Sequence, residues 1–412
     1  MVVDAVAVGA GQRGFHVYGA WAQRHPDRLR FAAVVDPNPD RLWRFGEAHR
    51  IPDERRFKST DALWASGRLA QVCIIAGPDR MHEDAAVKSL EAGYHTLVEK
   101  PMATSLEGAR AIRDAAARHP GRLHVAHVLR YTPYFRTLHQ VITSGRLGDI
   151  VTVEHRENVW AFHMAHSFVR GNWGTASASA PMIVTKCCHD FDILTWNVSS
   201  PIRRLASTGS LTEFHPDRAP AGAPERCTDG CPAGNCPYDA RRIYLDERYT
   251  GWPVHVITDD LSPAGRLAAL QTGPYGRCAY RARSDVADHQ VVMMETEAGT
   301  SISLTMHGHS DAEERTMRYD GTRATVRGRF GRSQQITIAD HATGSVEDIP
   351  IPRPSGGHGG GDEGTIEALL AAVSDGTPTQ TPAEEAFESH LLGFLAEEAR
   401  LAGTWIEVGE RR

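Results

Sequence analysis

The rhythm of hydrophobic positions along this chain changes once, near residue 130. Before that point, short apolar runs alternate with stretches in which apolar residues recur every three or four positions. Val3–Gly9, Phe31–Asp36, Val72–Ala76, His95–Val98 and Leu123–His127 read as strands, because apolar residues dominate both alternating sets of positions. Arg80–Ala92 and Ser105–His119 read as amphipathic helices with turn residues at their joints. Strand and helix alternating over residues 1–128 predict a doubly wound parallel sheet. After Pro133 a helix (Pro133–Ser144) leads through Gly145 and Gly148 into a β-rich region. There Ile150–Val159, Val291–Glu295 and Thr300–His307 are enriched in β-branched residues. Residues 129–412 are therefore expected to form an α/β domain with a large, mainly antiparallel open sheet. Residues 216–237, rich in Pro, Gly and Cys, read as an irregular excursion. The glycine-rich stretch 355–364 precedes a helix that Asp362 is expected to cap. The helices of residues 362–400 are expected near the domain junction.

Composition narrows the class. A chain of 412 residues exceeds one compact core and predicts two domains. Its formal net charge of -6 gives no general attraction to nucleic acid or an anionic membrane. No apolar stretch approaches the roughly 20 residues of a membrane span. The opening VVDAVAVGAG has strand character and lacks the features of a signal peptide. Seven cysteines, an odd number that all but Cys73 place after residue 186, suit reduced thiols and a cytoplasmic enzyme.

The first strand runs directly into Gly9-Ala10-Gly11-Gln12-Arg13-Gly14, and a helix pattern follows. Glycines at these three positions permit a tight turn, approach of backbone to a pyrophosphate, and close helix–strand packing. The second strand ends on Asp36, whose carboxylate would accept from ribose hydroxyls and repel a 2′-phosphate. NAD is thereby favoured over NADP. Arg41 reads as a solvated helix residue.

Three further segments are specific. Gly77-Pro78-Asp79-Arg80-Met81-His82 follows the fourth strand, Glu99-Lys100-Pro101 follows the fifth, and RYTPYFRTLHQVITSGRLGDI joins the halves. Together with the glycine turn they closely resemble the glucose–fructose oxidoreductase, inositol dehydrogenase and rhizopine-catabolism family (Gfo/Idh/MocA) over nearly the whole chain. The resemblance implies that Pro78, His82 and Glu99 help to line the cofactor. It also places Lys100 beside the nicotinamide and the substrate hydroxyl, where an ammonium would stabilise a developing alkoxide. In Thr185-Lys186-Cys187-Cys188-His189-Asp190-Phe191-Asp192, His189 matches the family's catalytic histidine and is the candidate acid–base. The family's usual aspartate four residues earlier is replaced by Thr185, with Lys186 beside it. Lys186 and Tyr131 are therefore added to the catalytic candidates. Family members associate through the large sheet, which implies a homodimer or homotetramer.

After the first strand of the second domain comes WAFHMAHSFVRGNW. Aromatic rings stack on sugar faces, while His163, His166, Ser167, Arg170, Asn172 and Trp173 suit hydroxyls and anionic groups. The segment carries no acidic residue, and with Lys186 it predicts a sugar bearing a carboxylate or sulfonate. Tyr131, His307, His309 and His358 are candidates to complete the pocket. The missing aspartate and the cationic loop make the chain similar to the family's NAD-dependent sulfoquinovosidases. Those enzymes oxidise carbon 3 of a pyranoside, eliminate the aglycone after loss of the carbon 2 proton, add water and return the hydride. A net NAD-linked dehydrogenase of a free sugar, inositol or sugar acid is the alternative, and a nucleotide-sensing protein without catalysis is a third. Cys227, Cys231 and Cys236 lie within ten residues broken by Gly and Pro, and with Cys278 they suggest a structural tetrahedral zinc. Free thiols in a loop are the competing reading.

Overall fold

Six parallel strands make the first sheet: β1 (Val3–Val8), β2 (Leu29–Val35), β3 (Arg56–Phe57), β4 (Val72–Ile75), β5 (His95–Val98) and β6 (Leu123–Val125). The computed structural model describes residues 1–354 and 356–412, so Ser355 of the glycine-rich stretch lies outside the described residues. The strand order is β3-β2-β1-β4-β5-β6. All four residues of β4 are buried, and β1 leaves only Asp4 partly open, as helices on both faces require. The order reverses between β1 and β4, so the crevice at their carboxyl ends is where a nucleotide belongs.

One face of this sheet is completed from the far end of the chain. The helix Gly361–Asp375 packs Ile366, Leu369 and Leu370 onto the core of Ala5, Ala7, Tyr18 and Trp21. Gly360, not Asp362, stands at its N-cap, and the Asp362 side chain turns elsewhere, correcting the capping expectation.

The second sheet contains β7 (Ile150–Trp160), β8 (Ile202–Ser210), β9 (His289–Thr296), β10 (Ser301–Ser310), β11 (Glu314–Gly321), β12 (Ala324–Phe330), β13 (Gln334–Asp340), β14 (Val346–Asp348) and β15 (Ile406–Glu407). Its order is β14-β13-β12-β11-β7-β10-β9-β8-β15, with β7 and β10 parallel and the remaining neighbours antiparallel. Burial alternates along β10 and β11, with Ile302, Leu304, Met306, Met317 and Tyr319 turned inward. The helices Cys188–Asn197 and Ala383–Ala402 lie against this inner side.

Between β8 and β9 the chain leaves the sheet for an excursion that is longer and more helical than the expected 216–237 loop. It contains the helices Ala240–Tyr244, Val254–Ile257 and Pro263–Thr272. Tyr244, Val254 and Leu270 form a satellite core with Phe162 and Cys227. The excursion also reaches the first domain. Asp259 pairs with Arg44 at 2.7 Å, and the His255 and His16 rings lie 5.1 Å apart.

Candidate active site

The glycine turn is shaped for close approach of a phosphate. Gly9 has φ +100°, and a Cβ there would stand 2.6 Å from the Gly77 amide nitrogen. A Cβ on Gly14 would collide with the Gly9 carbonyl, whereas one on Gly11 would meet nothing nearer than the Arg41 guanidinium at 3.7 Å. The turn is thus closed behind and open in front. Asp36 accepts from the amides of Ala10 at 2.8 Å and Asn38 at 2.9 Å, one on each oxygen. Each oxygen keeps a lone-pair direction for a ribose hydroxyl. These residues fit a dinucleotide: Gly9, Gly11 and Gly14 would cradle the pyrophosphate and Asp36 would meet the ribose, with the exposed Gln12 at the rim.

Arg13, Glu99 and His82 were expected to face the cofactor. Arg13 instead donates through Nε to Glu99 at 2.6 Å and through Nη2 to Asp362 at 2.8 Å. Glu99 also accepts from the Tyr18 hydroxyl at 2.6 Å. Burial alone would raise the Glu99 pKa, but the Arg13 charge and the Tyr18 hydrogen bond outweigh it and hold the carboxylate below its usual range. The two ring nitrogens of His82 lie 2.7 Å from the Pro101 carbonyl and 3.1 Å from that of Gly77. These three side chains therefore fasten the cofactor turns to each other. Pro78 is exposed at the turn after β4.

Lys100 leaves β5 toward the second domain, where Nζ donates to the Thr185 carbonyl at 3.0 Å and lies 5.9 Å from the Trp173 ring centroid. His189 stands in the first turn of the helix Cys188–Asn197, 7% exposed, with no hydrogen-bond partner for Nδ1. Burial first, then the nearby Lys100 charge, push its pKa well below the ordinary histidine value, so the ring is neutral at pH 7. An ammonium and an unpaired, neutral imidazole thus share the junction of the two domains. His127, at the end of β6, adds a second buried ring 5.7 Å from His189 and was not anticipated. Its place at a strand's carboxyl end was the available signal.

Lys186 does not supply the expected free cation. It pairs with Glu157 at 3.1 Å and Glu313 at 2.6 Å. Burial opposes its charge, but the two carboxylates outweigh burial and raise its pKa. Glu313 also accepts from His163 at 2.9 Å, and Arg315 spans Glu157 at 2.7 Å and Asp190 at 2.9 Å. His155 completes this network on Asp190 at 2.7 Å. Carboxylates of β7 and of the connection before β11 neutralise the Lys186 cation that looked available in the local sequence.

The aromatic segment divides. Trp173 stays at the site and donates to Asp79 at 2.7 Å, which also accepts from Ser179 at 2.5 Å. His166 is packed away under the excursion, hydrogen-bonded to Tyr244 at 2.6 Å and stacked on Tyr275. Arg170 donates to the carbonyls of Tyr238 at 2.6 Å and Arg277 at 2.7 Å, so it anchors the excursion. Ser167 is buried and Asn172 is exposed. Tyr131 is 4% exposed with its hydroxyl 3.5 Å from that of Thr381, a packing role in place of the catalytic one. His309 faces Asp288 at 3.1 Å, with His307 beside it.

Cys227, Cys231, Cys236 and Cys278 are free thiols around one small cleft. No group of three or more His, Cys, Asp or Glu side chains is disposed to hold a metal ion among the described residues, so the zinc expectation is not met. The Arg170 guanidinium lies 3.7 Å from the Cys227 sulfur.

Comparison with known proteins agrees with this architecture. Residues 3–127 match the NAD-binding Rossmann fold of an oxidoreductase family, and residues 139–408 match the C-terminal alpha/beta domain of the same family. YteT of Bacillus subtilis, which carries the name of an oxidoreductase, is 25% identical over 391 residues, 89% of this chain and 88% of YteT. Inositol 2-dehydrogenase of Serratia proteamaculans is 27% identical over 168 residues, 40% of this chain and 46% of that enzyme. Among solved structures, levoglucosan dehydrogenase with NADH and levoglucosan superposes with TM-score 0.71 at 16% identity, covering 99% of this chain and 100% of that one. The WlbA dehydrogenase of Bordetella pertussis with NADH and UDP-GlcNAcA gives 0.66 at 18%, covering 99% of each. At such identities these two likenesses concern the fold. With both halves matched by its domain models, the chain is a member of the Gfo/Idh/MocA oxidoreductase family.

Proposed function

We propose that this protein oxidises the carbon 3 hydroxyl of a pyranoside and does so transiently, within a redox-neutral glycosidase cycle. The observation that supports the reading is that the Lys100 ammonium of the first domain is held on the carbonyl of Thr185, in the segment that leads into His189, whose buried ring leaves Nδ1 unpaired. NAD in the cradle of Gly9, Gly11, Gly14 and Asp36 would supply the hydride acceptor and, later in the cycle, the donor. Lys100 would stabilise the alkoxide as it forms, and neutral His189 would take the hydroxyl proton. Sugar substrates are in keeping with the relatives named for inositol and levoglucosan.

A hydride that must return favours a cofactor that stays in place. The excursion spans the first domain through Arg44–Asp259, while Trp173 and Ser179 are tied to Asp79 of the cofactor domain. The anionic substrate has lost part of its support, because Lys186 and Arg170 are already engaged. A sulfoquinovoside therefore stands beside neutral glycosides in the test panel. The alternative is net NAD-linked oxidation of a free sugar, inositol or sugar acid by the same two residues.

One incubation separates the two. With catalytic NAD, the glycosidase releases many aglycones per NAD and exchanges the carbon 2 proton for solvent deuterium. NADH accumulating in step with a free sugar, with no aglycone from the panel, contradicts the glycosidase and selects the dehydrogenase.

A further inference from the structure

The excursion leaves one large ring in solvent beside the aromatic segment. Of the exposed tryptophans, Trp43 lies on the helix Pro39–Ala48, and Trp405 is covered by the Arg204 guanidinium at 4.9 Å. Trp252 is 43% exposed. Its ring stands 5.0 Å from that of His163 and 5.4 Å from that of His166, close to perpendicular to both. Its indole N–H has no hydrogen-bond partner among the described residues. An open apolar ring with a free N–H at its edge suits a ligand that is apolar on its face and hydroxylated at its rim.

A line of rings joins Trp252 to the reacting end of the site. Lys100 Nζ lies 5.9 Å from the Trp173 centroid, Trp173 lies 5.8 Å from Phe168, and Phe168 lies 5.8 Å from His163. Burial, and then the Lys186 charge, hold the His163 imidazole below its ordinary range, and the Lys100 charge adds to the effect as a near neighbour would. Glu313 stands on the same line. Its Oε2 accepts from His163 at 2.9 Å and from the Trp160 amide at 3.0 Å. Its Oε1 takes the Lys186 ammonium alone among the described residues, at 2.6 Å, and the side chain is 40% exposed. A carboxylate oxygen with one bond keeps a lone pair for a hydroxyl. The loop that carries Trp252 is also fixed to the first domain, because His255 faces His16 and Asp259 pairs with Arg44.

We propose that Trp252 and Glu313 form an outer subsite for a second hydroxylated ring, so that the aglycone is itself a sugar and the substrate is a disaccharide or longer oligosaccharide; this rests on the glycosidase reading. The indole underlies the C–H face of that ring, while its N–H and the spare lone pair of Glu313 bind hydroxyls. Lys100 and His189 act on the neighbouring glycon. The outer ring is uncharged, since the Glu313 carboxylate repels an anion placed against it. A net dehydrogenase of a free monosaccharide leaves this subsite without an occupant.

The test pairs maltose, cellobiose, melibiose and lactose each with the methyl glycoside of its non-reducing sugar in the same anomeric form, using NAD-loaded protein. For each glycon that is cleaved, wild type should show kcat/KM about tenfold or more higher on the disaccharide, the size that burying one ring face supplies. Trp252→Ala should lower that ratio about tenfold, through KM and not kcat, and Trp252→Phe should keep most of it. Glu313→Gln should lower the same ratio. A ratio unchanged in Trp252→Ala or in Glu313→Gln overturns the subsite and leaves the glycosidase reading standing. So does a wild type that shows no preference for the disaccharides, or that cleaves the sulfoquinovoside and none of them. A wild type that releases no aglycone from any of these glycosides refutes that reading and the subsite with it.

Discussion

His189, His127 and His390 form one buried cluster, with centroids 5.7 Å apart in the first pair and 5.4 Å in the second. Burial followed by the His127 charge pushes His390 down to about 3, and burial similarly takes His124 and His166 to about 3. All are therefore neutral in the folded protein at pH 7, which suits His189 to receive a proton. The sign of the linkage follows. Below the unfolded histidine value near 6.5 the unfolded chain binds protons that the folded chain refuses, so stability falls as pH falls. Each such histidine contributes up to about 1.4 kcal/mol per pH unit through that window. Urea unfolding followed from pH 7 to pH 5 should show the midpoint dropping steeply. A midpoint constant across that range contradicts neutral burial of these rings.

The helix Cys188–Asn197 carries the site and is held on two sides in its amino-terminal half. Asp190 binds His155 and Arg315 from two strands, and Asp192 takes a bidentate pair of 2.7 Å bonds from Arg130. Breaking a buried pair from one side strands the other charge, at about 3–5 kcal/mol. Asp190→Asn is expected to destabilise the protein by that amount in denaturant unfolding, and a change below about 1 kcal/mol would show that the network does not hold the helix. Much of the first sheet was readable in advance, because β1, β4 and β5 are buried on both faces and so nearly continuously apolar. β11 to β13 were not, because every second residue faces the open side and carries Arg, Thr, Asp or Gln. Lys100 and His189 were found by family resemblance, where periodicity was silent. The neutralisation of Lys186 was hidden because Glu157 and Glu313 lie on other elements of the fold, and Arg13 meets Asp362 across 349 positions of sequence.

At the scale of the whole molecule, the chain closes on itself around the cofactor crevice. The helix Gly361–Asp375 completes the first domain's core, the segment that begins it joins the cofactor turn through Asp362 and Arg13, and the excursion grips the helix Pro39–Ala48 through Asp259 and Arg44. Lys100 and His189, from different domains, are thereby brought to one junction. The direct measurement is rapid mixing of NAD-loaded protein with a pyranoside that it accepts, following bound-cofactor reduction at the nicotinamide absorbance. Wild type should reduce its bound cofactor in a single fast phase, and Lys100→Met and His189→Phe should each slow that phase about 100-fold or more while NAD binding is retained. Unchanged reduction rates in both variants would contradict the account.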